Sequence, residues 1–254
     1  MSLTAHIAHI ARNTPTTTTT PNNPNILLYC VYHDDVSKKA LDEYAHLSFI
    51  RPIKIPNTPY MESTVFTLLH ALKHEWEHKS HVGILKYSFL EKTPVMPNFC
   101  DLVKENPNAD VFTFVNGHEP PNNLSMIQYA TLCHPMFSPI WYVLLKQLAY
   151  PPNAMYDNTI PAFYSNYWIA KTRLFEGYLN FIRDAMSLMN KNEELKQLLY
   201  NDAKYLPRLS KDTLKRVMDR PYYTYHCFIC ERLPCFYFHT NKANILQVGG
   251  KERS

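Results

Sequence analysis

Short apolar runs alternate with amphipathic segments along the first part of the chain. Ile26 to Tyr32 is continuously apolar, which is typical of a strand buried on both faces of a parallel sheet. We predict further strands over 49–55 and 82–89 and helices over 35–47 and 62–79, the first helix capped by Asp35 or Ser37. This β-α-β-α-β order predicts right-handed crossovers and a mostly parallel, twisted sheet flanked by helices.

The pattern continues less regularly through the second half of the chain. Apolar residues recur at helical spacing or in short runs there. We predict strands over 110–115 and 166–170, and helices over 98–106, 124–133, 139–150, 174–189 and 193–205. An aromatic segment, 222–239, has no clear period. The sequence therefore predicts an α/β protein.

Composition changes from the ends to the body of the chain. Residues 1–25 contain a run of five Thr followed by Pro and Asn, so we expect a disordered tail. Residues 26–248 are expected to form one domain, and 249–254 a C-terminal tail or linker. Such soft ends also allow the chain to be one module of a longer, multi-domain protein.

Several function classes conflict with the composition. With 5 glycines, neither a G-x-G-x-x-G turn nor a P-loop can be written anywhere in the chain. The net charge of +4 is scattered, so we expect no nucleic-acid partner. No stretch of about 18 apolar residues occurs, so we expect no membrane span and a cytoplasmic protein.

Two groups of residues raise alternative chemistries. The 6 cysteines are expected to be free thiols, although a structural zinc site is an alternative for one group with a single C-x-x-C pair. That group is His226, Cys227, Cys230, Cys235 and His239. Cys133 and His134 could form a nucleophile and base, but adjacent residues rarely face each other.

The segment from His74 to His78 satisfies H-E-x-x-H, the zincin pattern. In that pattern two histidines on one helix face bind zinc, and Glu75 would act as the general base. No third ligand follows at a recognisable spacing, and Trp76 and its apolar neighbours need the inner face of the helix. We expect a solvated polar face, with a zinc-dependent hydrolase as the less favoured alternative.

Polar groups follow the predicted strands. Ligands of such sheets bind outside the carboxyl ends of the strands, where 32–35 and 56–62 lie. Lys86, Tyr87 and Ser88 end the third strand and offer a cation and hydroxyls to a phosphate. Glu231 and Arg232 interrupt an apolar stretch, so they form either a structural ion pair or a tuned general base with its partner.

At these residues the chain resembles GT-A type glycosyltransferases of large DNA viruses of algae, which are related to bacterial capsule and lipopolysaccharide glycosyltransferases. The similar segments are Glu62-Ser63-Thr64, the strand from Val82 to Phe89, the segment from Asn166 to Lys171, and Cys230-Glu231-Arg232-Leu233. They occur in the family's order within residues 26–240. The resemblance implies a GT-A (Rossmann-like) fold.

The resemblance also implies roles for individual residues. Glu231 and Asn166 would be catalytic, Glu231 as base or acceptor orienter, and Tyr167 and Trp168 would bind the acceptor. The donor would be bound by Tyr32, His33, Asp34, Tyr60, Glu62, Lys86, Tyr87, Ser88 and Arg232. No Asp-x-Asp ends the third strand, so a divalent metal (Mn²⁺ or Mg²⁺) is in doubt and no metal ligand is assigned. The acidic alternatives are Asp34, Asp35, Asp110 and Glu119.

The function that the resemblance implies is transfer of one sugar from a nucleotide-sugar to a glycan. A UDP-sugar such as UDP-galactose is the first expectation for the donor, and a GDP-sugar is the second. The partners would be the nucleotide-sugar and the glycan acceptor, in the host cytoplasm for a viral protein. A catalytically inactive module that binds a nucleotide or a glycan is the main alternative.

Overall fold

The computed structural model describes residues 25–93, 98–114, 124–151, 163, 165–206 and 209–249. The predicted N-terminal tail, apart from Asn25, and Glu119 lie outside these residues. So do all residues of the predicted C-terminal tail except Gly249. None of the helices in the described ranges combines the length and the apolarity that crossing a membrane requires.

A six-stranded sheet forms the centre of the molecule, in the order β2-β1-β3-β5-β4-β6. Its strands are β1 Ile26–Tyr32, β2 Ile50–Lys54, β3 His81–Lys86, β4 Val111–Phe114, β5 Trp168–Lys171 and β6 Ile245–Val248. β1 pairs in parallel with β2 and β3, and β4 pairs in parallel with β6, whereas β5 is antiparallel to β3 and β4. The predicted α/β class with a mostly parallel sheet is confirmed, and it is compatible with a Rossmann-like fold.

Helices flank the sheet on both faces. They are α1 Asp35–Lys39, α2 Phe66–Leu69, α3 Lys73–Trp76, α4 Phe89–Lys92, α5 Phe99–Glu105, α6 Met126–Cys133, α7 Phe137–Gln147, α8 Thr172–Lys191, α9 Glu193–Leu199, α10 Lys211–Met218 and α11 His226–Thr240, with 3₁₀ helices over Ala40–Tyr44 and Met61–Val65. Side chains of alternate strand residues enter two separate cores. Tyr29 and Val31 lie in the larger core with α8 and α11, and Leu28 and Cys30 lie in the smaller one.

The first predicted helix is shorter than expected and is capped by a different residue. Helix α1 ends at Lys39 and continues as a 3₁₀ helix to Tyr44. Its N-cap is Asp34, whose Oδ1 accepts a hydrogen bond from the Ser37 amide at 2.8 Å. The prediction of Asp35 or Ser37 as the cap was therefore wrong by one position or more.

The second predicted helix, 62–79, is broken into three pieces. Its predicted apolar face is nevertheless buried, from Val65 to Trp76. The indole Nε1 of Trp76 donates to the Leu69 carbonyl at 2.8 Å. In a continuous α-helix the Leu69 carbonyl would accept a hydrogen bond from the Lys73 amide. Here that amide donates to the His70 carbonyl. The competition by this indole explains the interruption between α2 and α3.

The C-terminal third contains elements that periodicity did not reveal. The aromatic segment is helix α11, which is buried on nearly every side and so lacks an amphipathic stripe. Helix α10 and strand β6 were not predicted either. β6 is a four-residue, half-exposed strand that pairs with β4, and so short a run carries little signal.

Gly83 allows β5 to enter the sheet beside β3. A Cβ at this position would lie 2.4 Å from the Trp168 carbonyl oxygen and 2.9 Å from Cα of Ile169. Any larger residue would push the two strands apart, because backbone atoms cannot give way. The absent side chain therefore fixes where the segment before β5, which carries Asn166 and Tyr167, meets the end of β3.

Candidate functional site

The carboxyl edge of the sheet is where β1 ends at Tyr32, β3 ends at Lys86 and antiparallel β5 begins at Trp168. Segments distant in sequence therefore meet there. The 3₁₀ helix after β2 brings Glu62 to this edge, and α11 brings Glu231. Both carboxylates contribute to raising the pKa of Lys86, which puts them within electrostatic range of its ammonium.

An ion pair between Glu62 and Lys86 forms the centre of the carboxyl edge. Oε1 of Glu62 contacts Nζ of Lys86, and the side chains are only 15% and 22% exposed. Burial disfavours the charged forms of both groups and is the largest influence on each pKa. Their mutual attraction outweighs it, so the pKa of Glu62 is lowered and that of Lys86 is raised. Both groups are charged at neutral pH.

His33 lies beside this pair at the end of β1. Burial lowers the pKa of the imidazole, with Glu62 and Asp34 acting in the opposite direction and Lys86 in the same one. The ring is therefore neutral near pH 7. Within the residues that the structure describes, neither ring nitrogen has a hydrogen-bond partner, although both nitrogens are buried. A buried imidazole in that state is suited to receive a ligand or a proton.

The ring of Tyr87 lies beside the Lys86 ammonium, and Ser88 and Tyr167 lie close to each other at the same edge. Nζ of Lys86 lies 5.6 Å from the ring centroid of Tyr87, and the His33 ring meets the same tyrosine edge-on at 6.4 Å. Burial raises the pKa of Tyr167, which a hydrogen bond with Ser88 partly offsets and which Glu62 and Glu231 increase. The site thus combines the Lys86 ammonium with nearby hydroxyl groups.

Glu231 and Arg232 form a second ion pair at this edge. Nη1 of Arg232 lies 2.8 Å from Oε2 of Glu231, with the arginine side chain 8% exposed and the glutamate 24% exposed. The partner cation compensates the charge of Glu231 in its half-buried position. The structure thus contains the ion pair that was one of the two interpretations of these residues.

Asn166 has a strained backbone conformation at the carboxyl edge. It and Ser165 have φ values of 56° and 55°, the left-handed region that non-glycine residues rarely adopt. Its Nδ2 donates to Oγ of Ser63 at 3.2 Å, and Ser63 in turn bonds to the Cys230 thiol. The buried Oδ1 has no hydrogen-bond partner in the described part of the chain. Strain together with an unsatisfied acceptor is typical of a ligand-binding position.

Other residues expected at the site have different surroundings. Tyr60 donates its hydroxyl to Oδ1 of Asn190 at 2.7 Å, and Asp34 caps α1. Tyr32 packs against the smaller core. Trp168 is fully buried between Phe66 and Tyr178. Its ring therefore has no exposed surface that could contact an acceptor sugar.

The acidic alternatives for a metal do not gather at the carboxyl edge. Asp35 is exposed on α1, and Asp110 lies at the opposite edge, where it pairs with Lys171 at 2.9 Å. The two glutamates of the carboxyl edge each hold a cation already. Among the described residues, no group of three or more His, Cys, Asp or Glu side chains is placed to hold a metal ion.

The alternative chemistries receive little support from the described geometry. His74 and His78 are exposed, while Glu75 pairs with Arg51 at 3.5 Å and accepts from the Tyr29 hydroxyl. Cys133 is exposed, and Nδ1 of His134 bonds to the Ala203 carbonyl at 2.8 Å. The contacts of Glu75 and His134 are thus with groups of the fold itself.

Ser63 is the site residue that the sequence analysis did not assign. It is buried, and it joins Asn166 to α11 through Cys230. Its position directly after Glu62, in a polar triplet that precedes an apolar helix face, was the available signal. The chain matches no protein-family model, no curated protein and no solved structure.

Proposed function

We propose that the chain is a GT-A type glycosyltransferase that transfers a single sugar from a nucleotide-sugar to a glycan, with a UDP-sugar such as UDP-galactose as donor. The observation that carries the proposal is the convergence of four sequence segments at the carboxyl edge. Glu62 pairs with the half-buried ammonium of Lys86, and Asn166 bonds to Ser63, the residue after Glu62. Glu231 lies within electrostatic range of the same ammonium, so each segment that resembles the family contributes one residue to this edge.

Lys86 is the group that meets the leaving diphosphate. As the anomeric carbon bonds to the acceptor oxygen, the bond to the phosphate oxygen breaks and negative charge develops on the diphosphate. A fixed ammonium in a half-buried site stabilises that charge strongly, because little water screens it. Tyr87, Ser88 and Tyr167 add hydroxyls around the same space.

Glu231 is the carboxylate proposed to orient the acceptor hydroxyl or to take its proton. Arg232 holds Oε2 of Glu231, which leaves its other oxygen for the acceptor. Asn166 offers its unsatisfied Oδ1 to a sugar hydroxyl. The ribose and base would lie along His33 and the 3₁₀ helix that carries Glu62.

A divalent metal does not fit the described carboxylates at this edge. In the ligand-free protein Glu62 and Glu231 each pair with a cation, and hard metal ions need several free oxygen ligands. Lys86 is therefore the group that neutralises the charge of the diphosphate.

Calorimetric titration with UDP, GDP and CMP, each with and without Mn²⁺, tests the proposal. We expect one diphosphate nucleotide to bind and its sugar conjugates to raise the unfolding temperature by mass action. A transfer assay with the bound sugar nucleotide then separates an enzyme from an inactive binding module. Absence of binding to every nucleotide would contradict the glycosyltransferase reading.

A further inference from the structure

The geometry of the carboxyl edge points to a second role for Glu62, which deepens the proposed function and rests on it. We propose that the Glu62 carboxylate is an internal substitute for the donor diphosphate on Lys86. When the donor binds, the phosphate displaces this carboxylate, and the carboxylate moves to His33. Glu62 would then be a competitor of the ligand and not part of its binding surface.

The first support is the burial of the Lys86 ammonium. A charge that is largely removed from water requires a counter-charge, or folding is penalised by several kcal/mol. In the ligand-free protein Glu62 supplies that counter-charge through direct contact between Oε1 and Nζ. A diphosphate oxygen offers the same ammonium the same kind of charge-assisted hydrogen bond. The two anions therefore compete for one position.

The second support is the state of His33. This ring lies within the electrostatic reach of Glu62, Asp34 and Lys86, and it packs edge-on against Tyr87. Neither nitrogen is bonded within the described residues. Once a phosphate neutralises Lys86, the cation no longer disfavours the imidazolium, and the displaced carboxylate favours it. Donor binding should therefore be accompanied by uptake of a proton on His33.

The third support is the backbone that carries Glu62. The carboxylate stands near the start of the five-residue 3₁₀ helix Met61–Val65, whose hydrogen-bond geometry is poorer than that of an α-helix. The preceding residue, Met61, has a φ of 49°, in the left-handed region. A strained, short element next to a ligand site is well suited to change its conformation when the ligand arrives.

Titration of inorganic pyrophosphate and of UDP into wild-type and Glu62→Gln protein tests the inference. The glutamine keeps the size of the side chain and removes the competing charge. We expect both ligands to bind at least about tenfold more tightly to Glu62→Gln than to wild type. In the variant, ligand binding no longer requires breaking the charge-assisted hydrogen bond between Glu62 and Lys86. The ligand-free variant should unfold at a lower temperature. Glu62→Asp, which weakens the contact with Lys86 by shortening the side chain, should show a smaller gain.

Glu75→Gln is the matched control, because Glu75 is also a half-buried carboxylate paired with a cation, Arg51. It should lower the unfolding temperature and leave both affinities unchanged. Equal or weaker ligand binding by Glu62→Gln would overturn the inference while the proposed function stands. Failure of wild-type protein to bind any nucleotide would instead overturn both.

The pH dependence tests the part played by His33. Because binding is accompanied by proton uptake on His33, the ratio of the pyrophosphate affinity at pH 6 to that at pH 8 should be higher for wild type than for His33→Asn. Ionisation of pyrophosphate itself is the same in both titrations and cancels in this comparison. Identical pH profiles would remove His33 as the position to which Glu62 moves.

Discussion

The two edges of the sheet each carry a lysine–carboxylate pair, but the surroundings of the pairs differ. At the amino edge, Asp110 pairs with Lys171 through Oδ1 at 2.9 Å and accepts the Asn244 amide through Oδ2 at 3.0 Å. Both oxygens are used, and the contacts join β4, β5 and the start of β6. At the carboxyl edge, the pair of Glu62 and Lys86 lies beside a buried imidazole and a buried amide oxygen without partners in the described chain. The amino edge also contains a buried ring nitrogen without a partner in the described chain, Nε2 of His81. The edges therefore differ in degree: the Asp110 pair joins three strands, whereas both ring nitrogens of His33 and Oδ1 of Asn166 lack partners at the carboxyl edge.

The largest expected difference between the edges concerns the two lysines. Lys86→Met should reduce sugar transfer by about 10²- to 10³-fold, the usual effect of removing one group that stabilises developing negative charge. The double variant Lys86→Met with Glu62→Gln removes the stranded carboxylate and should regain stability but not activity. Steady-state transfer rates and thermal unfolding curves of both variants check this. Recovery of transfer in the double variant would show that Lys86 acts only through the fold.

Asn166 allows a test of strain at the carboxyl edge. Asn166→Gly should leave the free energy of unfolding within about 1 kcal/mol of wild type, because relief of the left-handed strain offsets the lost bond to Ser63. Transfer should fall by at least about tenfold, since the hydrogen bond to the ligand is lost. Asp219, an exposed residue with a φ of 56° at the end of α10, provides the control. Asp219→Gly should not lower activity, and wild-type rates for Asn166→Gly would contradict the role of its amide.

His81, at the amino edge, should make the stability of the fold depend on pH. Burial, with a further contribution from Lys171, lowers the pKa of His81 to about 4, despite the opposing effect of Asp110. Since this folded-state pKa is below the unfolded one, the unfolded chain binds more protons between about pH 4 and 6.5. The free energy of unfolding should therefore fall by up to about 3 kcal/mol as the pH drops through this window. Denaturant titrations of wild type and His81→Asn check this, and an equal loss of stability in the variant would contradict it.

The smallest effect is expected at the amino edge. Lys171→Met removes a partly exposed ion pair and should lower the free energy of unfolding by up to about 1 kcal/mol. Sugar transfer and nucleotide affinity should remain at the wild-type level, because Lys171 lies at the end of β5 away from Lys86. A large loss of nucleotide affinity in this variant would show that the amino edge takes part in nucleotide binding as well as in stabilising the fold.

Some of the fold could be predicted because its signals are local. The apolar run from Ile26 to Tyr32 coincides with β1, since a strand buried on both faces needs only apolar residues. Helix α11 could not be recognised, because burial on nearly all sides removes the helical period. The helix is interrupted after Leu69, where the Trp76 indole competes for a backbone carbonyl. Helix propensities of single residues do not include such a hydrogen bond.

The candidate site also contains some features that local sequence signals reveal and others that depend on tertiary packing. Lys86 was identified from its position at the end of a predicted strand, and Glu231 from its charge within an apolar stretch. Both are local properties of the sequence. The pairing of Lys86 with Glu62 joins different elements, and it depends on how the 3₁₀ helix packs. The left-handed conformation of Asn166 is likewise invisible in its residue type. Trp168 was expected to bind an acceptor, yet its apolar strand neighbours place it in the core.

Hydrogen–deuterium exchange with and without the bound nucleotide compares the two edges most directly. The account predicts slower amide exchange in peptides that cover 61–64, 86–88 and 165–168 when the nucleotide is present. Peptides that cover 108–111 and 242–245 should exchange at the same rate in both states. Protection that appears at the amino edge, and not at the carboxyl edge, would contradict the claim that Lys86 and its neighbours bind the donor.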